Sequence, residues 1–195
     1  MITGKTINEL PEITTISPDA AFVVELSGTT YQIKSPNMST GSFYGSYYSE
    51  VTQGVTGTLD DAYAMSAETT AYSVGFDVID NSKFMAQSAG TYNVQFSSQI
   101  SRVSGSSATI ISIWIRVNGV DVEASRGDIY AGLNIIDSRQ IAGWNFIQDL
   151  GAGDYFEIMW ATSNNLIIFE SFPSETEPLP VKPSSPSIAI SITQV

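Results

Sequence analysis

A chain of 195 residues, 43% of them apolar, can fill the core of one sandwich domain with an appendage, or of two small domains. Only 14% of its residues are charged, the net charge is −12, and the eight basic residues are spread singly, which argues against binding to nucleic acid or to an anionic membrane. The absence of His and Cys removes the commonest general base, disulfides, thiol chemistry and zinc–thiolate sites. With so few charges, the surface must be covered by Ser, Thr, Asn, Gln and Gly. That suits a protein that buries much of itself in an assembly, and equally a secreted β-protein. The opening MITGKTINEL lacks the pattern of a signal peptide, and no apolar run approaches the ~20 residues of a membrane span.

In chain order, residues 1–40 have their own texture: an apolar, Pro-containing entry and then a hairpin. Phe22–Leu26 reads as one strand, Ser27-Gly28 as the turn and Thr30–Lys34 as the return. A lone hairpin is marginal in water, so this segment needs a partner. Residues 41–56, rich in Gly, Ser and Tyr, read as a linker into a strand near Tyr47–Thr52. Thr58–Thr70 fits either a short helix capped by Thr58 or a strand with a turn, and the spacing of Tyr63 and Met65 favours the strand. Phe76–Ile79 and Lys83–Ala86 flank the turn Asp80-Asn81-Ser82.

Gly90 to Val117 is the clearest stretch. Tyr92, Val94, Phe96, Ser98 and Ile100 alternate with Asn93, Gln95, Ser97, Gln99 and Ser101, the period of a half-buried strand. Ile111, Ile113, Ile115 and Val117 repeat the pattern against Ser112, Trp114 and Arg116, so the two runs form the spine of an antiparallel sandwich. Asn118-Gly119 signals a tight hairpin with Val120–Glu123 returning. Ala124–Ser138 reads as a looser stretch containing Arg126-Gly127-Asp128. Gln140–Leu150 is a strand, Gly151–Asp154 a tight turn, and Tyr155–Thr162 a strand with Phe156, Ile158 and Trp160 on one face and Tyr155, Glu157 and Met159 on the other. LIIFESF follows, then the Pro-rich PSETEPLPVKPSSP as an extended surface loop. SIAISITQV closes the count with Ile188, Ile190 and Ile192 alternating. Nine or ten short strands separated by turns are the signature of an all-β sandwich.

Two resemblances follow from particular residues. INELPEI, the pair Asp19-Ala20, then FVVEL, SGTT and YQI resemble the short N-terminal adaptors of tailed-bacteriophage virion proteins. The block from Gly90 onward is similar to the jelly rolls of the tumour-necrosis-factor and complement globular-head superfamily. Its anchors are Gly90-Thr91-Tyr92, Val117-Asn118-Gly119 and Leu150-Gly151-Ala152-Gly153-Asp154. The runs IWIRVNG, GWNF and GDYFEIMW are also similar to structural proteins of marine and freshwater bacteriophages. The resemblances imply an all-β, antiparallel jelly-roll sandwich of about ten strands, trimeric, spanning residues 41–195, with a hairpin adaptor at 1–40. They imply a trimer axis lined by Asn93, Gln95, Ser97 and Gln99 with Ala189 and Ser191. They also imply docking to a capsid or other virion protein through the adaptor, for which Ile7, Leu10, Ile13, Phe22, Val24, Leu26, Tyr31 and Ile33 are the apolar candidates. The superfamily often places aromatics at the axis, where this chain has amides and small residues.

Motifs for chemistry are sparse. The acidic pairs Asp60/Asp61, Asp77/Asp80 and Asp121/Glu123 read as solvated loop acids, since nothing places them across a sugar cleft as a glycosidase requires. Asp77, Asp80 and Asn81 supply three oxygens to a calcium ion that wants six to eight. Arg126-Gly127-Asp128 matches the integrin tripeptide, and Asn37-Met38-Ser39 fits a glycosylation sequon. Tyr44, Tyr47, Tyr48, Trp114 and Tyr130 read as exposed aromatics suited to packing between chains, or to sugars. The expectation is a non-enzyme with no cofactor and no metal, located on the capsid exterior of a virion as a homotrimeric decoration, cement or short head-fibre protein. The short linker leaves no room for a tail-fibre shaft. The alternative is a tail- or head-borne adhesin reading host surface glycans through the loops Glu123–Gln140 and Ser171–Ser187.

Overall fold

A computed structural model describes residues 21–26, 29–34, 42–104, 109–131 and 139–195. The chain divides into two compact units, Met1–Gly41 and Ser42–Val195. In the first, β1 (Ala21–Leu26) and β2 (Thr29–Lys34) form an antiparallel hairpin. Its register pairs Phe22 with Ile33, Val24 with Tyr31 and Leu26 with Thr29, so the expected docking residues of this hairpin occupy alternate, facing positions. Ile7, Leu10 and Ile13, and the sequon at Asn37, lie outside the described residues.

The second unit holds two antiparallel sheets, and no helix is present among the described residues. The six-stranded sheet consists of β3 (Tyr44–Ser49), β5 (Thr69–Val74), β8 (Gly90–Arg102), β12 (Arg139–Leu150), β14 (Ile167–Phe169) and β15 (Ile188–Gln194). Its order is β12-β8-β15-β3-β5, with β14 also beside β8. The seven-stranded sheet consists of β4 (Tyr63–Ala64), β6 (Phe76–Ile79), β7 (Lys83–Ala86), β9 (Thr109–Val117), β10 (Val120–Asp121), β11 (Gly127–Ala131) and β13 (Tyr155–Thr162). Its path is β10-β9-β13-β7-β6, with β11 also on β9 and β4 on β13. The long strands β8, β9, β12, β13 and β15 alternate between the sheets, so the chain winds over the ends of the sandwich as in a jelly roll.

The apolar rows predicted from alternation meet between the sheets. Tyr92, Val94, Phe96 and Ile100 of β8 and Ile188, Ile190 and Ile192 of β15 are buried, as are Ile111, Ile113 and Ile115 of β9 and Phe156, Ile158 and Trp160 of β13. Phe84 joins the layers: its ring lies 4.9 Å from that of Tyr47 on one sheet and 5.2 Å from that of Phe156 on its own. Full burial of such a side chain contributes roughly 1.5–3 kcal/mol.

Several expectations are corrected. The two spine strands β8 and β9 do not pair, because they belong to opposite sheets. Tyr47 is fully buried, since Gly45 and Ser49 share its inward face and leave room for the ring. Glu157 and Met159 are buried as well: they pair with Arg116 and Trp114, whose large side chains lie on the same outer face. The stretch after Ala124 contains β11, which extends the sheet alongside β9. In Thr58–Thr70 the favoured strand reading holds instead: the stretch contributes β4 and the start of β5.

Two expected turns hold each other. Asn118 and Gly119 have φ of 49° and 79°, as a tight hairpin demands. The Asn118 side chain donates to Asp154 Oδ1 at 2.8 Å and accepts from the Tyr155 amide at 3.0 Å. The other Asp154 oxygen accepts from the Gly151 amide at 2.7 Å. The Asn118 bond, then the Gly151 amide, hold the Asp154 carboxyl below its usual range. Two of the sequence anchors therefore touch in space.

Candidate interaction faces

The outer face of the six-stranded sheet brings all six expected axis residues together. Asn93, Gln95, Ser97 and Gln99 alternate with the buried row of β8. Ser97 lies opposite Ala189 and Gln95 opposite Ser191. On the other side of β8, Asn93 pairs with Ile147, Gln95 with Asn145, Ser97 with Gly143 and Gln99 with Ile141. Across β15 the face continues through Tyr44, Ser46 and Tyr48 to Tyr72 and Val74. Gln95, Ser97 and Ser191 are exposed. Asn93 accepts a bond from Asn145 at 3.3 Å, and the Gln99 amide donates to the Ser185 hydroxyl.

This face is almost free of charge. Among the described residues, the only charged ones at its outward positions are Arg139 and Asp149, near opposite ends of β12. Large apolar groups flank the polar rows: Ile141 is 71% exposed, Ile147 59% and Tyr72 68%. Among the described residues β12, twelve residues long, pairs with β8 alone, so its far edge presents unpaired backbone beside those two isoleucines. A long edge of this kind invites another chain unless it is charged or covered.

The outer face of the seven-stranded sheet is chemically different. Asp77, Lys83, Arg116, Asp121, Asp128 and Glu157 lie along its strands. The Asn118-Gly119 turn sets Asp121 opposite Arg116. Asp121 Oδ1 accepts from Arg116 Nε at 2.7 Å and from Trp114 Nε1 at 2.8 Å. The bonds from Arg116, then Trp114, lower the Asp121 carboxyl from its ordinary value. Beside them, Asp128 accepts from Ser112 at 2.7 Å and from Arg126 at 3.1 Å. Ser112, Trp114, Asp121 and Arg126 border an open hollow of about 350 Å³ with Val122, Ala124 and Ala161 on its walls. Arg126 and Ala124 also line a neighbouring hollow that reaches Trp144 and Asn145.

The other sequence candidates do not converge. Asp77 accepts from Gln87 at 3.1 Å and Asp80 from Lys83 at 2.9 Å, each with its own partner. No group of three or more acidic residues is placed to hold a metal among the described residues. Asp60 and Asp61 are exposed, and Asp121 is engaged with Arg116 and Trp114 while Glu123 is exposed. In Arg126-Gly127-Asp128 the two charged ends bond to each other, and a Cβ on Gly127 would come within 2.8 Å of the Trp144 ring. The tripeptide is thus held against the sheet. The Pro-rich loop is an exposed arm closed by bridges between Phe172 and Ser185 and between Glu175 and Lys182. Of the expected exposed aromatics, Tyr44 and Tyr130 are exposed, Tyr48 and Trp114 half-buried, and Tyr47 is core.

Sequence reasoning missed the Trp114 hollow. Its legible signals were Trp114, read as an aromatic suited to packing or to sugars, and the Asn-Gly turn, which sets Arg116 opposite Asp121.

No protein-family model matches the chain, and no curated protein sequence does. Among solved structures, it is similar to murine APRIL, with a TM-score of 0.47 and 8% identity over 80% of this chain and the whole of that one.

Proposed function

We propose that this chain is a homotrimeric structural protein of a tailed-phage virion, a capsid decoration, cement or short head-fibre protein on the capsid exterior. Residues 1–40 dock it to a virion protein and the sandwich projects outward. The observation that carries the assembly is the nearly uncharged outer face of the six-stranded sheet, continuous with the open edge of β12. In a chain of net charge −12, a face with so little charge has a reason to be so: it removes the repulsion that identical acidic surfaces would feel on meeting. The amides of Asn93 and Gln95 and the hydroxyls of Ser97 and Ser191 can bond to their copies across an axis, while Ile141, Ile147 and Tyr72 bury apolar area around it. The virion part of the reading is supported by the resemblance of the INELPEI to YQI stretch to phage adaptors. The chemistry is mechanical, with no cofactor and no catalytic step. A plug bound to the closed shell shifts its equilibrium away from rupture by mass action.

Immuno-gold labelling of intact particles checks the location and should decorate heads. Particles stripped of the protein should rupture at lower temperature. Unlabelled particles, or identical rupture curves, count against the reading. A second reading, an adhesin for host surface glycans, is favoured by one observation: the hollow beside Trp114.

A further inference from the structure

We infer that the hollow bordered by Ser112, Trp114, Asp121, Val122, Ala124 and Arg126 binds one ring of a neutral saccharide. The inference deepens the adhesin reading and rests on it.

Arg116 pairs with Asp121 at 2.7 Å and Arg126 with Asp128 at 3.1 Å. Of the charged groups that line the hollow, one is an anion, Asp121, and one a cation, Arg126, so its lining is balanced although the whole chain is strongly acidic. Neither an anionic nor a cationic ligand finds an unmatched countercharge there. A neutral ligand rich in hydroxyls meets both donors and acceptors.

Fixed geometry comes next. The Trp114 indole is tethered through its N–H to Asp121, and Asp128 is held from two sides by Ser112 and Arg126. Asp121 Oδ1 takes both of its bonds, leaving Oδ2 as an acceptor; its side chain is 55% exposed. The Arg126 side chain is 68% exposed and keeps guanidinium donors beyond the one that Asp128 takes. Planar polar groups locked before the ligand arrives bind hydroxyls without a further ordering penalty.

The walls complete the match. Val122, Ala124 and Ala161 line the hollow and leave room above the sheet, with Trp114 beside them. An amphipathic pyranose has one face of C–H groups for such apolar and aromatic surface, and a rim of hydroxyls for the carboxylate and guanidinium. Indole supplies a large contact area together with a polar edge. The hollow is open, which suits the terminal ring of a surface glycan rather than an engulfed metabolite.

The test uses the full chain on a printed panel of neutral hexose and N-acetylhexosamine oligosaccharides alongside sialylated and sulfated ones. Titration calorimetry with the best neutral probe follows. The expected result is binding to neutral probes, with Trp114→Ala and Arg126→Ala each weakening affinity about tenfold or more. Arg126→Ala is the safer variant, since that side chain is mostly exposed; an unchanged thermal midpoint shows that it folds. Binding confined to sialylated or sulfated probes overturns the inference, and so does neutral binding that both variants retain. In that last case the protein still recognises glycans and the adhesin reading stands with another site. Failure of the chain both to bind any glycan and to adsorb to host cells sinks the adhesin reading and the hollow together.

Discussion

The two outer faces of the sandwich are built from the same repeating backbone and carry opposite chemistry. The six-stranded face is amide, hydroxyl and exposed isoleucine, with charge only near the ends of β12. The seven-stranded face carries paired charges on most of its strands, among them Arg116–Asp121 and Lys83–Asp80. Exposed ion pairs contribute little to stability, about 0–1 kcal/mol each. Their value is in keeping a surface soluble and separate. The contrast teaches that one sandwich can carry a nearly uncharged face and a charge-paired one; in the proposed trimer the first meets other copies.

The largest test removes what the faces share. Phe84→Ala leaves a void between Tyr47 and Phe156 and should cost about 3–5 kcal/mol. Because that ring contacts both sheets, calorimetry should still show one transition for the sandwich, shifted down. Two separated transitions would mean that the faces fold independently.

The next test sets one face against the other. Gln95→Lys brings three ammonium groups to the proposed axis, with repulsion of about 1–4 kcal/mol per pair at ~4 Å. Light scattering should then give the monomer mass in place of the trimer mass. Ile79→Lys, at a position 40% exposed on the seven-stranded sheet, should leave the mass unchanged. Equal effects from both variants, or none from either, would erase the distinction between the faces.

Ile141→Ala and Ile147→Ala sharpen it further. Each removes up to about 1.5–3 kcal/mol of burial in an assembly. Dilution series should show weaker association by about one to two powers of ten. In a monomer the same changes should barely move the thermal midpoint.

The smallest effect is on pH. The Asp154 carboxyl is lowered in the folded state, so its bonds to Asn118 and Gly151 contribute fully above the ordinary carboxylate pKa. That contribution is lost as pH falls through the lowered folded value. Between pH 5 and about pH 2 the native chain should lose more thermal stability than Asp154→Asn. Parallel decline of the two proteins would remove Asp154 from the explanation.

Much of the fold was legible because period 2 assigns each residue to a face. Phe76–Ile79, Lys83–Ala86 and Tyr155–Thr162 were read with the boundaries the structure has. Alternation does not say which strand lies alongside which, and so β8 and β9 were joined as one spine when the chain crosses between sheets after Arg102. Tyr47 was misread because its inward neighbours Gly45 and Ser49 are small, and no apolar row marked the face. β11 was hidden because Arg126-Gly127-Asp128 looks like a turn. The rows on the six-stranded face could be placed from the sequence, since they lie on single strands. The Trp114 hollow could not, since it gathers β9, β10, β13 and the approach to β11 in three dimensions.

The position of β15 has a consequence for timing. Ile188–Gln194 lies between β8 and β3, and among the described residues β3 has only β15 and β5 for partners. Tyr44 pairs with Thr193, across nearly the whole length of the sandwich sequence. The ribosome therefore has to deliver that strand before the six-stranded sheet can close. Until then a nascent chain has no finished outer face on that sheet, and in the proposed trimer the complete contact surface exists only once each sandwich is whole.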